Sequence, residues 1–210
     1  MPAKNEDLHG NVPDTAAAAL LLIDLINDFA YPGGDALLAQ TLPLAERVAA
    51  LKRRAKAAGI PVVYVNDNHG RWRSDFRALV EHCRRDGARG RPVVERLLPE
   101  PDDYCVLKPK HSGFYSTPLD VLLAYLRAQT LILTGIAGDH CVLFTAHDAF
   151  LRDYRLVVPA DCVASIDPAS NAYALGRLRD VLEADLTPSD ALDLAALARR
   201  APLPPGPRAP

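Results

Sequence analysis

The stretch LILTGIAGDHCVLFTAHDAF, residues 131–150, constrains the fold more than any other part of the chain. From Leu131 the residues are apolar or β-branched and read as a buried strand. Gly135 ends that run, and from about His140 the positions Val142, Ala146, Ala149 and Phe150 recur at helical spacing. A strand that runs straight into a helix belongs to a βα unit rather than a hairpin. Cys141 then falls in the first helical turn, where unpaired backbone N–H groups and the positive end of the helix dipole gather. Such a place suits an acidic thiol and an oxyanion. The other reading of Cys141 is a small buried hydrophobe, the commonest fate of a free cysteine. The residue alone leaves both open.

The same unit repeats along the chain. AAAALLLID (16–24) is a continuous apolar run ending in an acid, the pattern of a strand buried on both faces. YPGGD (31–35) reads as a loop. Residues 43–58 form an amphipathic helix with Leu44, Val48, Leu51 and Ala55 on one stripe, closed by Gly59. PVVYVND (61–67) is a second strand, 73–85 a polar helix, and 89–103 a proline-marked connection. YCVLK (104–108) is a third strand, followed by a helix over 118–128 with proline at its start. After the fourth strand and its helix come a fifth strand, RLVVPAD (155–161), and a helix over 168–184. A short sixth strand, DLTP (185–188), and a helix over 189–199 complete the pattern. This alternation predicts a three-layer α/β/α fold: an open, mostly parallel sheet of about six strands with helices on both faces. The expected division is an N-terminal arm (1–14), one domain (15–200) and a proline-rich tail (201–210).

Two hundred and ten residues suffice for one full core. A net charge of −2 supplies no field that selects nucleic acid or an anionic membrane. No apolar run reaches membrane-spanning length, and the opening residues MPAKNEDLHG lack the apolar centre of a secretory signal. The expected setting is the cytoplasm, with reduced thiols. Cys83, Cys105, Cys141 and Cys162 show no CxxC spacing, and neither nucleotide-binding glycine motif is present.

In open parallel sheets ligands bind at the carboxyl ends of the strands. Asp24, Lys108 and Cys141 lie at or just beyond the ends of the first, third and fourth strands. Each has an ordinary explanation: a loop-capping acid, a solvated lysine, a core cysteine. Three on one edge argue for a site. A thiol attacks a carbonyl once a neighbouring carboxylate removes its proton, and an ammonium offsets the summed negative charge. The N–H of Cys141 and another from the turn 135–138 would hold the oxyanion.

ALLLIDLINDF (19–29), KPKHSGF (108–114) and GIAGDHCV (135–142) resemble the isochorismatase-like cysteine hydrolases, in that family's order and spacing, from about residue 17 to 187. The superfamily includes nicotinamidases and N-carbamoyl amidohydrolases, and its sheet is Rossmann-like. The resemblance implies Asp24 as general base, Lys108 as triad lysine and Cys141 as nucleophile. Lys110 competes for the lysine role, but the pattern of Lys, then Ser, small residue and Phe fits Lys108, Ser112, Gly113 and Phe114. The resemblance also implies a cis peptide before Ala137, whose N–H joins that of Cys141 in the oxyanion hole. Asn27, Phe29, His69, Trp72, Phe114 and His140 are candidates for the substrate pocket. Each also has a packing, loop or capping reading.

Metal-binding members place Asp, His and a second His across the region of DNHGRWRSDF (67–76). Asp67 and His69 match, while Asp75 takes the second histidine's place. The reading is no metal and no cofactor, with Asp75 opening a helix and Asp67, His69 and Asp75 as the candidates should a cation bind. The implied activity is hydrolysis of a small-molecule C–N amide-type bond through a thioester. The implied assembly is a homo-oligomer, a dimer or tetramer. Vinyl-ether hydrolysis of an isochorismate-like compound, or non-catalytic small-molecule binding on the same scaffold, are the alternatives.

Overall fold

A computed structural model describes residues 14–68 and 75–199. His69, Trp72, most of the expected arm and the proline-rich tail lie outside the described residues. In chain order the elements are β1 (Ala18–Ile23), α1 (Gly34–Ala57), β2 (Val62–Asp67), α2 (Phe76–Arg84) and α3 (Arg91–Arg96). Then follow β3 (Tyr104–Lys108), α4 (Leu119–Leu126), β4 (Thr130–Ile136) and α5 (Leu143–Phe150). The last are β5 (Arg155–Val157), β6 (Val163–Ala164), α6 (Pro168–Leu182) and α7 (Leu194–Arg199).

The strands form one six-stranded sheet in the order β3-β2-β1-β4-β5, with β6 also paired to β4. The pairings are parallel. Alternation along β1 explains why its sequence is apolar at every position. Ala18, Leu20 and Leu22 enter a core shared with α1, α3 and α7. Ala19, Leu21 and Ile23 enter a second core shared with α4, α5 and α6. Both faces of the strand are therefore dry, as the continuous run requires.

β1 and β4 approach so closely at the carboxyl edge that Gly135 has no room for a side chain. A Cβ there would lie 2.0 Å from the Ile23 carbonyl oxygen, and φ is +122°. Only glycine meets both conditions without strain.

Four expectations need correction. α1 begins at Gly34 rather than residue 43, because buried Leu37 and Thr41 continue its apolar stripe ahead of Pro43. The connection 89–103 contains α3, opened by a proline at its start. DLTP contributes only a bridge between Asp185 and Val157. The sixth strand is Val163–Ala164, because β5 pairs only with Thr130–Ile132 and leaves Gly135 and Ile136 of β4 open. The last helix is split into a 3-10 turn at Ser189–Ala191 and α7.

Candidate active site

The carboxyl edge of the sheet brings three distant residues together. Asp24 follows β1 with a left-handed backbone (φ +53°), which turns the chain out of the sheet. Its own N–H donates to the Val65 carbonyl at 2.9 Å. Its carboxylate accepts from the Asp67 N–H at 2.7 Å. Lys108 ends β3 and is 0% exposed. A lysine buried to that degree needs partners. It reaches across β2 and places Nζ 2.8 Å from the Asp24 carboxylate. The same Nζ donates to Cys141 Sγ at 3.3 Å and to the Lys110 carbonyl at 3.2 Å. An ammonium has three N–H donors, and these three partners match them. Asp67 stands further off, at 3.9 Å.

Cys141 lies in a π-helical turn, Gly138–Val142, that precedes α5. The Ser165 hydroxyl anchors this turn by accepting the Asp139 N–H at 3.1 Å. The Ile136–Ala137 peptide is cis.

A helix mouth suits an acidic thiol, and burial and neighbouring charge act on the same sulfur. Burial, and next the Asp24 carboxylate, push the Cys141 thiol up to about 12, against the lowering effect of Lys108. Desolvation of the sulfur and the neighbouring anion both favour the neutral thiol. For Lys108 burial favours the neutral amine, but the Asp24 carboxylate offsets it and raises the ammonium above its ordinary value. The site therefore holds a buried Lys108–Asp24 ion pair beside a sulfur whose surroundings favour the thiol form.

Other expected residues fall in several places. The Asn27 side chain accepts from the Phe29 N–H at 2.8 Å. Phe29 is 0% exposed and packs in the α1-side core, so it does not wall an open pocket. Phe114 belongs to the other core, with the Arg152 guanidinium 4.8 Å over its ring. Both corrections share one cause: these aromatics follow strand ends but turn inward to fill the sheet–helix layers. His140 is exposed and paired with Asp139 at 3.1 Å. Asp75 caps α2, accepting the Ala78 N–H at 2.9 Å. Asp67 lies beside the lysine, its side chain 44% exposed. Among the described residues no cluster of three or more metal-ligating side chains forms. Lys110 is exposed, as expected for a loop charge. Cys83 and Cys162 are buried and Cys105 is exposed.

His111, whose place in the lysine loop allows either a site-lining or a local polar reading, joins the site, and so does Tyr31, which the sequence did not single out. His111 is exposed with Nδ1 3.9 Å from Cys141 Sγ, its ring beside His140 and Phe144. Tyr31 lies in the loop after β1. Burial pushes its phenol up to about 12 despite a hydrogen bond with Asn27, and the Asp24 and Asp28 carboxylates act in the same direction. The signal was available for both, an aromatic ring within a few residues of a candidate catalytic group.

A parallel sheet with an acid, a lysine and a thiol meeting at its carboxyl edge defines an isochorismatase-type hydrolase. The Isochorismatase domain family model matches residues 18–190, and the chain belongs to that family. It is an enzyme of the amidohydrolase kind within it. The chain is 38% identical to YaaI of Bacillus subtilis, an isochorismatase family protein, over 82% of its own length and 94% of that protein. It is 33% identical to the ureidoacrylate amidohydrolase RutB of Methylorubrum extorquens, over 86% of this chain and 81% of that one. Among solved structures, N-carbamoylsarcosine amidase from Thermoplasma acidophilum superposes with a TM-score of 0.64 at 30% identity. That match covers 84% of this chain and 98% of the other. No helix among the described residues is long and apolar enough to cross a membrane.

Proposed function

We propose that the protein hydrolyses a small-molecule C–N amide-type bond, of the ureido or carbamoyl kind, through a thioester on Cys141. The observation that carries this reading is the position of Lys108 Nζ, 2.8 Å from Asp24 and 3.3 Å from Cys141 Sγ. When substrate enters, Asp24 takes the thiol proton and Lys108 stays between the carboxyl and the forming thiolate. The sulfur attacks the carbonyl carbon, and the C–O π pair moves to oxygen. The N–H groups of Ala137 and Cys141 hold that oxyanion. Collapse of the adduct expels the amine, which takes the proton from Asp24. Water then adds to the thioester carbon and gives a proton to Asp24. The acid leaves, and the sulfur regains its proton. A thiol held up to about 12 at rest fits this order of events, because ionisation then awaits a partner that uses it.

The relatives named for ureidoacrylate and N-carbamoylsarcosine support the choice of bond. Homo-oligomerisation and a cytoplasmic setting belong to the same proposal, to be read by light scattering and by cell fractionation. The test of function is ammonia release from a panel of ureido acids, carbamoyl amines and simple amides. Mass spectrometry should trap an acyl adduct on Cys141. Cys141→Ala is expected to abolish turnover; a Cys141→Ala protein that keeps full activity removes the mechanism.

A further inference from the structure

Lys108 owes part of its aim to the loop that follows it, since one of its three N–H bonds goes to the Lys110 carbonyl at 3.2 Å. That loop is fastened further on. The Gly113 N–H donates to the Thr145 hydroxyl oxygen at 3.0 Å, and the same hydroxyl donates to the Cys141 carbonyl at 2.6 Å. Thr145 is 0% exposed. A threonine in a helix often bonds the carbonyl four residues back, and that contact alone says little. Here the hydroxyl also accepts from a separate segment, so its donor and one lone pair are both in use.

Gly113 is tightly seated. A Cβ there would lie 2.8 Å from a Val65 methyl. Three residues further along α5, Asp148 accepts from the Ser112 hydroxyl. The nucleophile turn and the lysine loop are thus tied to one face of α5, and the circuit from Lys108 through Lys110, Gly113 and Thr145 returns to Cys141.

We infer that Thr145 is a positioning residue that sets the Lys108–Cys141 geometry by holding the lysine loop to the nucleophile turn through its single hydroxyl. The inference rests on the proposed roles of Lys108 and Cys141. Thr145→Val keeps the shape and deletes both hydrogen bonds, whereas Thr145→Ser keeps the hydroxyl and deletes a methyl. The reporter is iodoacetamide alkylation of Cys141 followed by mass spectrometry across pH, which needs no knowledge of the substrate.

With the loop released, the ammonium supports the thiolate less. The Thr145→Val alkylation curve should move alkaline, and the rate at pH 8 should fall about tenfold, the effect of one unit in thiol ionisation. Thr145→Ser should restore the parent curve. Asp148→Ala, at a less buried site on α5 whose carboxylate accepts from Ser112 of that loop, should move the curve the same way by a smaller amount. It keeps the test open if Thr145→Val does not fold.

Superimposable parent and Thr145→Val curves overturn the inference. So do Val and Ser variants displaced equally, which would make the methyl and not the hydroxyl the relevant group. If Thr145→Val does not fold, an unshifted Asp148→Ala curve overturns it. A parent whose Cys141 resists iodoacetamide at every pH overturns the proposed nucleophile and this inference together. A reactive parent with an unmoved Thr145→Val overturns the inference alone.

Discussion

Replacing Lys108 with methionine removes the charge at the centre of the site while keeping a similar volume. At 2.8 Å from Asp24, the gross attraction is about 6 kcal/mol for an effective dielectric of about 20. Desolvation of both ions offsets much of that. The measurable loss follows the rule for removing one member of a buried pair, about 3–5 kcal/mol, because the Asp24 carboxylate stays buried with its charge uncompensated and only neutral donors, the Asp67 N–H and the Cys141 thiol, against it. In a chain of this length that is a fall of roughly 6–20 °C in melting temperature.

The pH dependence has a definite sign. Lys108 is raised above its ordinary 10.5, so its stabilisation is whole below that pH and is lost as pH climbs through the folded value. The gap between parent and Lys108→Met should hold from neutrality to about pH 10 and close above it. The parent also weakens above about pH 9, where the unfolded Cys141 thiol ionises and the folded one keeps its proton. Thermal melts across pH measure stability, and iodoacetamide kinetics at pH 8 measure the sulfur. Alkylation should slow, since burial and Asp24 then act on the thiol unopposed by the ammonium. A variant that melts within about 2 °C of the parent and alkylates at the parent rate would refute this account of the ion pair.

Two further perturbations separate the site from its supports. Lys52, 4% exposed, bonds Asp103 at 2.6 Å and the Tyr64 hydroxyl at 3.0 Å, at the sheet edge opposite Cys141. Lys56 also holds Asp103, at 3.1 Å, so Lys52→Met should cost about 3 kcal/mol by chemical denaturation while leaving Cys141 alkylation at the parent rate; a changed alkylation rate at unchanged stability would contradict that separation. Asp75→Ala should cost about 1 kcal/mol through the lost α2 cap, with no change in metal content by elemental analysis. Loss of a bound cation with that substitution would make Asp75 a ligand.

Much of the fold is legible in the chain because buried parallel strands are written as unbroken apolar runs. AAAALLLID, PVVYVND and the run from Leu131 are all found as strands in one sheet. What the chain hides is register and reach. Nothing local shows that β5 stops short along β4, which is what makes Val163–Ala164 a strand and leaves Asp185 a bridge. The motif spacing marks Asp24, Lys108 and Cys141, and the strand ends bring them to one edge. The thiol's surroundings were not legible. Helix position is local, whereas desolvation and the Asp24 charge come from tertiary packing. Phe29 and Phe114 were misplaced for the related reason that a ring beside a strand end has two directions to turn. Thr145 was silent, since its second bond runs to a loop more than thirty residues away.

Surroundings that favour the thiol form of Cys141 have a consequence for durability. Peroxide attacks the thiolate, and the ladder from sulfenic to irreversible sulfonic acid begins there. With burial and the adjacent carboxylate holding Cys141 in its thiol form, an idle enzyme presents little of the oxidisable species at neutral pH. The burial and charge that disfavour the Cys141 thiolate also slow its oxidation.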